Sequence, residues 1–176
     1  MTELDDLLRR YLAAAIEGDD VAVRELVRLT QPSVWRLCGA LGSRGEEEDL
    51  AQETYMRVLR SLPSYRGESS VLGWVLTIAR HVCADHVRTR QRHRRVLTAI
   101  KGATTDRMVI DADHTVWDVL RQIDPDRREA FVLTQVAGLS YDEAALALGC
   151  PVGTVRSRVA RARADLLTVV RAAQAS

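Results

Sequence analysis

Apolar residues recur three and four positions apart along most of the chain, the spacing that puts them on one face of an α-helix. The pattern runs through "LDDLLRRYLAAAIEG" (4–18) and "DVAVRELVRLTQPSVWRLCGAL" (20–41). Gly18 and the pair Asp19–Asp20 separate these two predicted helices, and Asp suits an N-cap. "GSRGEEED" then reads as a loop feeding a helix start, where the macrodipole favours acids. A third helix follows in "DLAQETYMRVLRSL" and stops before Pro63; "PSYRGESS" is a polar loop, and "VLGWVLTIARHVCADHVRTRQRHRR" is one long helical pattern. From 96 to 113 the period fades, which predicts a linker. Helical rhythm resumes in "HTVWDVLRQI", "DPDRREAFVLTQVAG" and "SYDEAALAL". No segment sustains strand alternation bounded by turns. The expectation is an all-α chain of two small helical domains, 1–95 and 114–176, joined by a flexible linker at 96–113.

The end of the chain carries helix-turn-helix punctuation. In "GLSYDEAALALGCPVGTVRSRVARAR" (138–163), Ser140 and Glu143 form a capping box that opens a short helix. Gly149 can close it in the left-handed conformation, and Pro151 opens the next helix. On a wheel of about 100° per residue, Val152, Val155, Val159, Ala162 and Leu166 form the core side of that helix. Thr154, Ser157, Ala160 and Arg161 point away, with Arg156 and Arg158 on the flanks. Small and hydroxyl side chains between arginines suit a major groove, where Arg reads guanine edges or grips phosphate. A solvated face is the alternative, but it would normally mix signs, and no acid occurs here before Asp165.

Composition sharpens the picture. The 176 residues include three Trp, four Tyr and one Phe, so the core is mainly Leu, Val, Ala and Ile, as packed helices favour. No stretch is a candidate signal peptide or membrane span. Cys38, Cys83 and Cys150 lie far apart without a CxxC, which points to a reducing cytosol and small buried apolar roles. No metal site or cofactor is expected. Net charge is only +1, yet its distribution is uneven. "RGEEEDLAQE" (44–53) carries five acids, whereas "VRTRQRHRR" (87–95) carries five arginines and a histidine with no acid. Different surfaces therefore face partners of different sign. Trp35, Trp74 and Trp117 are expected as core anchors.

On the third helix, Asp49, Gln52, Glu53, Met56 and Arg60 share one face, opposite Ala51, Tyr55, Val58 and Leu62. An acidic and amide face with a central Met suits a protein partner with basic helices; ordinary solvated surface is the alternative. With its flanks, the segment resembles region 2 of the extracytoplasmic function sigma factors. Asp49, Gln52, Glu53 and Tyr55 meet the family pattern D-x-x-Q-E followed by an aromatic. "SYRGESSVLGWVLTIARHVCADHVR" (64–88) is similar to the next family segment, with Trp74, Ile78, Ala79, Arg80, Asp85 and Arg88 in place. "LSYDEAALALGCPVGTVRSRVARAR" (139–163) resembles the region 4 helix-turn-helix. The resemblance spans nearly the whole chain and is nearest the actinobacterial sigma C branch.

The resemblance implies a cytoplasmic transcription factor that is not an enzyme and recruits core RNA polymerase to promoters. Asp49, Gln52, Glu53 and Met56 would sit on the β′ clamp helices, and region 4 near the β flap. Tyr65 to Ser70, with Arg80, His81 and Asp85, would lie near a flipped base of the −10 element. Flipping costs a few kcal/mol and needs a receiving pocket and a strand-holding surface. Arg88, Arg90, Arg92, Arg94 and Arg95 would supply that surface. Thr154, Arg156, Ser157, Arg158, Ala160 and Arg161 would face the −35 element, and the linker would run through polymerase. An anti-sigma factor is a further implied partner. Many family members have Asn where His81 stands and aromatics where Val71 and Leu72 stand. The His81 imidazole could contact DNA or pack in the helix. A stand-alone helix-turn-helix regulator would lack the D-x-x-Q-E face. A nuclease would need a ligand set that the acids at 46–53 do not have.

Overall fold

The computed structural model describes residues 3–101 and 116–174, and among these there is no strand. Eight α-helices follow in order: α1 Glu3–Ile16, α2 Asp20–Leu41, α3 Glu47–Ser61, α4 Val71–Lys101, α5 Val116–Arg121, α6 Pro125–Phe131, α7 Tyr141–Leu148 and α8 Val152–Gln174. The all-α expectation holds. The stretch expected as a linker is helical to Lys101, and its remainder, 102–113, lies outside the described residues.

Local chemistry accounts for the helix ends. The Asp19 carboxylate caps α2, accepting from the Val21 and Ala22 amides. α2 also runs through Pro32, at the cost of one ladder hydrogen bond. Between α3 and α4 a single 3₁₀ turn, Leu62–Ser64, carries Pro63 in its first turn, and the loop 65–70 follows. α6 starts at Pro125 behind an Asp124 cap and widens into a π-helical turn, Val132–Val136. Both bonds of the Ser140–Glu143 capping box form at the start of α7, and Gly149 ends it at φ +62°. Pro151 stands one place ahead of the expected position: α8 begins at Val152, and the Pro151 carbonyl accepts from Thr154 and Val155.

The first unit packs α1, α2, α3 and α4 around Leu8, Leu26, Leu37, Val58, Val71, Val75 and Leu76, each almost wholly buried. At about 1.5–3 kcal/mol per buried aliphatic side chain, this core is the main force holding the unit together. In the second unit, α6 and α7 pack on α8 through Ala130, Leu133, Ala144, Val155, Val159 and Ala162. Thr30, Thr54 and Thr134 enter these cores because each hydroxyl donates to the carbonyl four residues earlier, leaving no orphan donor.

The two units share a boundary. α2 meets α5 and the π-helical turn, and α4 meets α7. Arg36 donates to the Val136 carbonyl at 3.1 Å and Arg121 to the Gly39 carbonyl at 3.1 Å. Trp117 lies so close to Gly39 that a Cβ there would stand 3.1 Å from its ring. A further expectation fails. Trp35 is not a core anchor; it is 43% exposed, because α2 buries Val34, Leu37, Cys38 and Leu41 and turns position 35 outward.

Candidate nucleic-acid interface

The opposed wheel faces of α3 set up the first surface. Leu50, Ala51, Thr54 and Val58 are buried, while Asp49, Gln52 and Met56 are exposed and Glu53 is half-buried. Tyr55 is fixed from below: its hydroxyl lies 3.0 Å from Thr30 Oγ1 and 3.4 Å from the Val27 carbonyl. Burial pushes that hydroxyl up to about 12. Asp49 and Gln52 engage no side-chain partner among the described residues. Glu53 does, accepting from Arg57 Nε at 2.7 Å.

Arg57 is a residue that wheel reasoning passed over. Its second partner is Asp85 on α4, at 2.9 Å, so one guanidinium ties the acidic face of α3 to the long helix. Asp85 also accepts from Arg88 at 2.5 Å. The two guanidinium hydrogen bonds hold the Asp85 carboxyl below its ordinary range. Asp85 thus orients Arg57 and Arg88. Farther along α4, Arg88, Arg90, Arg92 and Arg95 are all exposed, and Arg90 lies 3.3 Å from Glu46. Nothing is described of the Arg94 side chain.

At the other end of α4, Ser70 caps the helix, accepting from the Gly73 amide at 3.1 Å. Tyr65 is half-buried, its hydroxyl donating to the Ser69 carbonyl at 2.6 Å and its ring tilted against Trp74 at 5.3 Å between centroids. Trp74 therefore supports the loop from beneath. Arg80 faces the second unit and pairs with Glu129 of α6 at 3.2 Å. Its other amino group donates to His81 Nε2 at 3.1 Å, which requires an unprotonated acceptor nitrogen. Partial desolvation, then the adjacent Arg80 charge, lower the His81 pKa from its ordinary value. The imidazole is exposed.

On α8 the core stripe is Val155, Val159 and Ala162, with Val152 and Leu166 at its margins. Arg156, Ser157, Ala160 and Arg161 are exposed, and Thr154 is half-buried near the helix start. Arg156 lies over the Tyr141 ring at 5.9 Å, and the Ser157 hydroxyl donates back to the Thr154 carbonyl. Arg158 stands apart. It is half-buried and pairs with Asp126 of α6 at 2.5 Å, so part of its charge is spent inside the unit. Arg163 likewise reaches Gln135 at 2.6 Å. The acid-free stretch 152–164 of α8 thus narrows to an exposed patch of two arginines flanking Ser157 and Ala160.

Among the described residues no three His, Cys, Asp or Glu side chains gather as a metal site, and no helix is long and apolar enough to cross a membrane. Cys38 and Cys83 are buried with their sulfurs 4.0 Å apart, while Cys150 is half-buried beside Arg158.

Comparison with known proteins gives these surfaces a context. The family model described as Sigma-70 region 2 matches residues 26–93, and that described as Sigma-70, region 4 matches 114–166. The ECF RNA polymerase sigma factor SigC of Mycobacterium tuberculosis is 39% identical over 172 residues, covering 93% of this chain and 91% of that protein. The ECF RNA polymerase sigma-E factor of Haemophilus influenzae is 30% identical, covering 84% and 86%. Among solved structures, CnrH in complex with the cytosolic domain of CnrY aligns with a TM-score of 0.73 and 25% identity over 94% of this chain and 98% of that one. The sigma factor RpoE of Bartonella quintana, solved with the anti-sigma factor NepR, gives 0.67 and 28% over 84% and 96%.

Proposed function

The chain belongs to the extracytoplasmic function sigma factors of the sigma-70 family, and from that premise we propose how its surfaces divide the work of promoter recognition. The protein directs core RNA polymerase to specific promoters and assists the initiation of transcription, binding both the polymerase and promoter DNA. It acts in the cytoplasm as an initiation factor, by recruitment and strand separation rather than by bond chemistry of its own.

Residues 1–95 form the polymerase-docking and −10 unit, and 114–176 form the −35 unit near the β flap. Asp49, Gln52, Glu53 and Met56 dock on the clamp helices of β′. The loop 65–70 with Arg80 and His81 receives a flipped −10 base, and Arg88, Arg90, Arg92 and Arg95 hold the opened strand's phosphates. Arg156, Ser157, Ala160 and Arg161 enter the major groove of the −35 element, with Thr154 at its phosphates. Arg158 lies at the edge of that contact. Because RpoE was solved with an anti-sigma factor, a regulator of that kind is a fitting third partner for this chain.

One observation carries this assignment: an acid and amide face on α3 and an acid-free arginine face on α8 are both exposed on one chain. A simple helix-turn-helix regulator needs only the second. The test is a pair of binding measurements on the Gln52→Ala/Glu53→Ala double variant. Affinity for purified core polymerase should fall while binding of promoter fragments through α8 is kept. Unchanged core affinity would refute the docking face.

A further inference from the structure

The loop assigned to the −10 base is held from a helix that lies outside the matched region 2 segment. That helix is α1, and the residues are Asp5 and Arg9. Asp5 is a carboxylate only 7% exposed, and its contacts explain why it can be buried. Its Oδ1 accepts from the Val71 amide at 2.9 Å, satisfying an otherwise orphaned donor in the first turn of α4. Its Oδ2 accepts from Arg9 Nε at 2.9 Å. The same guanidinium donates to the Ser69 carbonyl at 3.2 Å and lies 5.9 Å from the Tyr65 ring centroid. Tyr65 donates to that same Ser69 carbonyl and leans on Trp74. Gly67, at φ +73°, brings the loop backbone near Arg9, where a Cβ would stand 3.5 Å from Nη1.

Both ends of the six-residue loop are therefore tied to α1. Arg9 grips Tyr65 and Ser69, while Asp5 grips Val71, where the loop becomes helix. A buried carboxylate at a helix N-terminus gains from the macrodipole, and its charge is compensated by Arg9. The region 2 family model begins at residue 26, so nothing in that match accounts for these contacts.

We propose that Asp5 and Arg9 are positioning residues for −10 recognition. They fix the loop 65–70 against the start of α4 so that it meets a flipped base preformed. The proposal rests on the reading of that loop given above. Preorganisation matters because a loop that must order on binding spends part of its affinity doing so.

The test uses the full chain with purified core polymerase and promoters that differ only in the −10 element. The loop variants Arg66→Ala and Glu68→Ala test the underlying reading. If neither alters the preference among −10 sequences, the loop assignment itself fails. With that preference established, Arg9→Ala and Asp5→Ala should reduce initiation at the preferred −10 sequence by about tenfold, the scale of one lost charged hydrogen bond. Discrimination among −10 sequences should flatten, with core affinity and −35 preference kept. Asp5→Asn should recover part of the discrimination, since its amide oxygen can still accept from Val71. Equal losses on every −10 sequence, in step with a lower folded fraction, would make the pair purely structural and overturn the proposal. So would full discrimination in Arg9→Ala. Should Asp5→Ala not fold, Asp5→Asn and Arg9→Lys carry the same comparison.

Discussion

Arg80 of α4 and Glu129 of α6 form an ion pair at 3.2 Å that joins the first helical unit to the second. Both side chains are partly shielded, and while Arg80 is so engaged it is not available to a phosphate or a base. The contacts Arg36–Val136, Arg121–Gly39 and Ser70–Glu143 lie on the same boundary. Glu129→Gln should loosen it by at most about 1 kcal/mol, the range of a semi-exposed pair. Energy transfer between dyes on α3 and α8 should then report a broader, longer separation. An unchanged distribution would contradict the role of the pair.

Acidification should weaken the packed form through two groups in separate windows. The His81 pKa is lowered by desolvation and by Arg80, so the unfolded chain binds the proton more tightly. Its contribution is present above the ordinary imidazole value of about 6.5 and is lost as pH falls below it. Glu143 follows at lower pH. Burial works to raise its carboxyl, but hydrogen bonds from Ser70 and Ser140 outweigh burial and leave it lowered. Its contribution is lost as pH falls below about 4.3. Urea midpoints at pH 7.5 and 5.5 should differ in the parent and converge in His81→Gln. A parent midpoint that rises on acidification would reverse the sign.

Gly42 closes the path from α2 to α3 by close approach rather than by unusual backbone. Its φ is −81°, but a Cβ would stand 2.3 Å from Leu50 Cδ1 and 2.5 Å from the Cys38 carbonyl oxygen. The Leu50 methyl could move, whereas the carbonyl cannot move without breaking the helix end. Gly42→Ala should therefore destabilise the first unit by about 2 kcal/mol, as overpacking does. Thermal unfolding measures it, and a variant as stable as the parent would show that the helix end can yield.

The arginines of α8 should separate into two kinds. Arg161→Ala should cost about 1–3 kcal/mol at the preferred −35 sequence if it reads a base, or weaken all sequences alike if it grips phosphate. Arg158→Ala should mainly lower stability, by about 0.5 kcal/mol, because its partner Asp126 is exposed. Binding to a panel of −35 variants, alongside thermal melts, distinguishes them. A larger specificity change in Arg158→Ala than in Arg161→Ala would invert the assignment.

Elements governed by neighbours in sequence were legible. The Asp19 cap, the Ser140–Glu143 box, the Gly149 stop and the α8 core stripe all follow from residues within one or two helical turns. What escaped depends on partners far away in the chain. Arg158 looked like part of a free face because Asp126 lies 32 residues earlier. Asp5 reads as a first-turn acid of α1, and only the fold shows it bonding to Val71, 66 residues on. Trp35 misled because an aromatic suggests burial, whereas the phase of α2 turns it outward. The π-helical turn and the contact between the units carry no periodic signal at all.

Promoter-directed initiation in vitro addresses the central claim most directly. Core polymerase, the purified chain and a library of promoter fragments are combined, and transcript 5′ ends are sequenced. The account predicts specific starts only when the chain is present, from fragments that share a −35 and a −10 element. No stimulated start from any fragment, together with no binding of the chain to core, would contradict it.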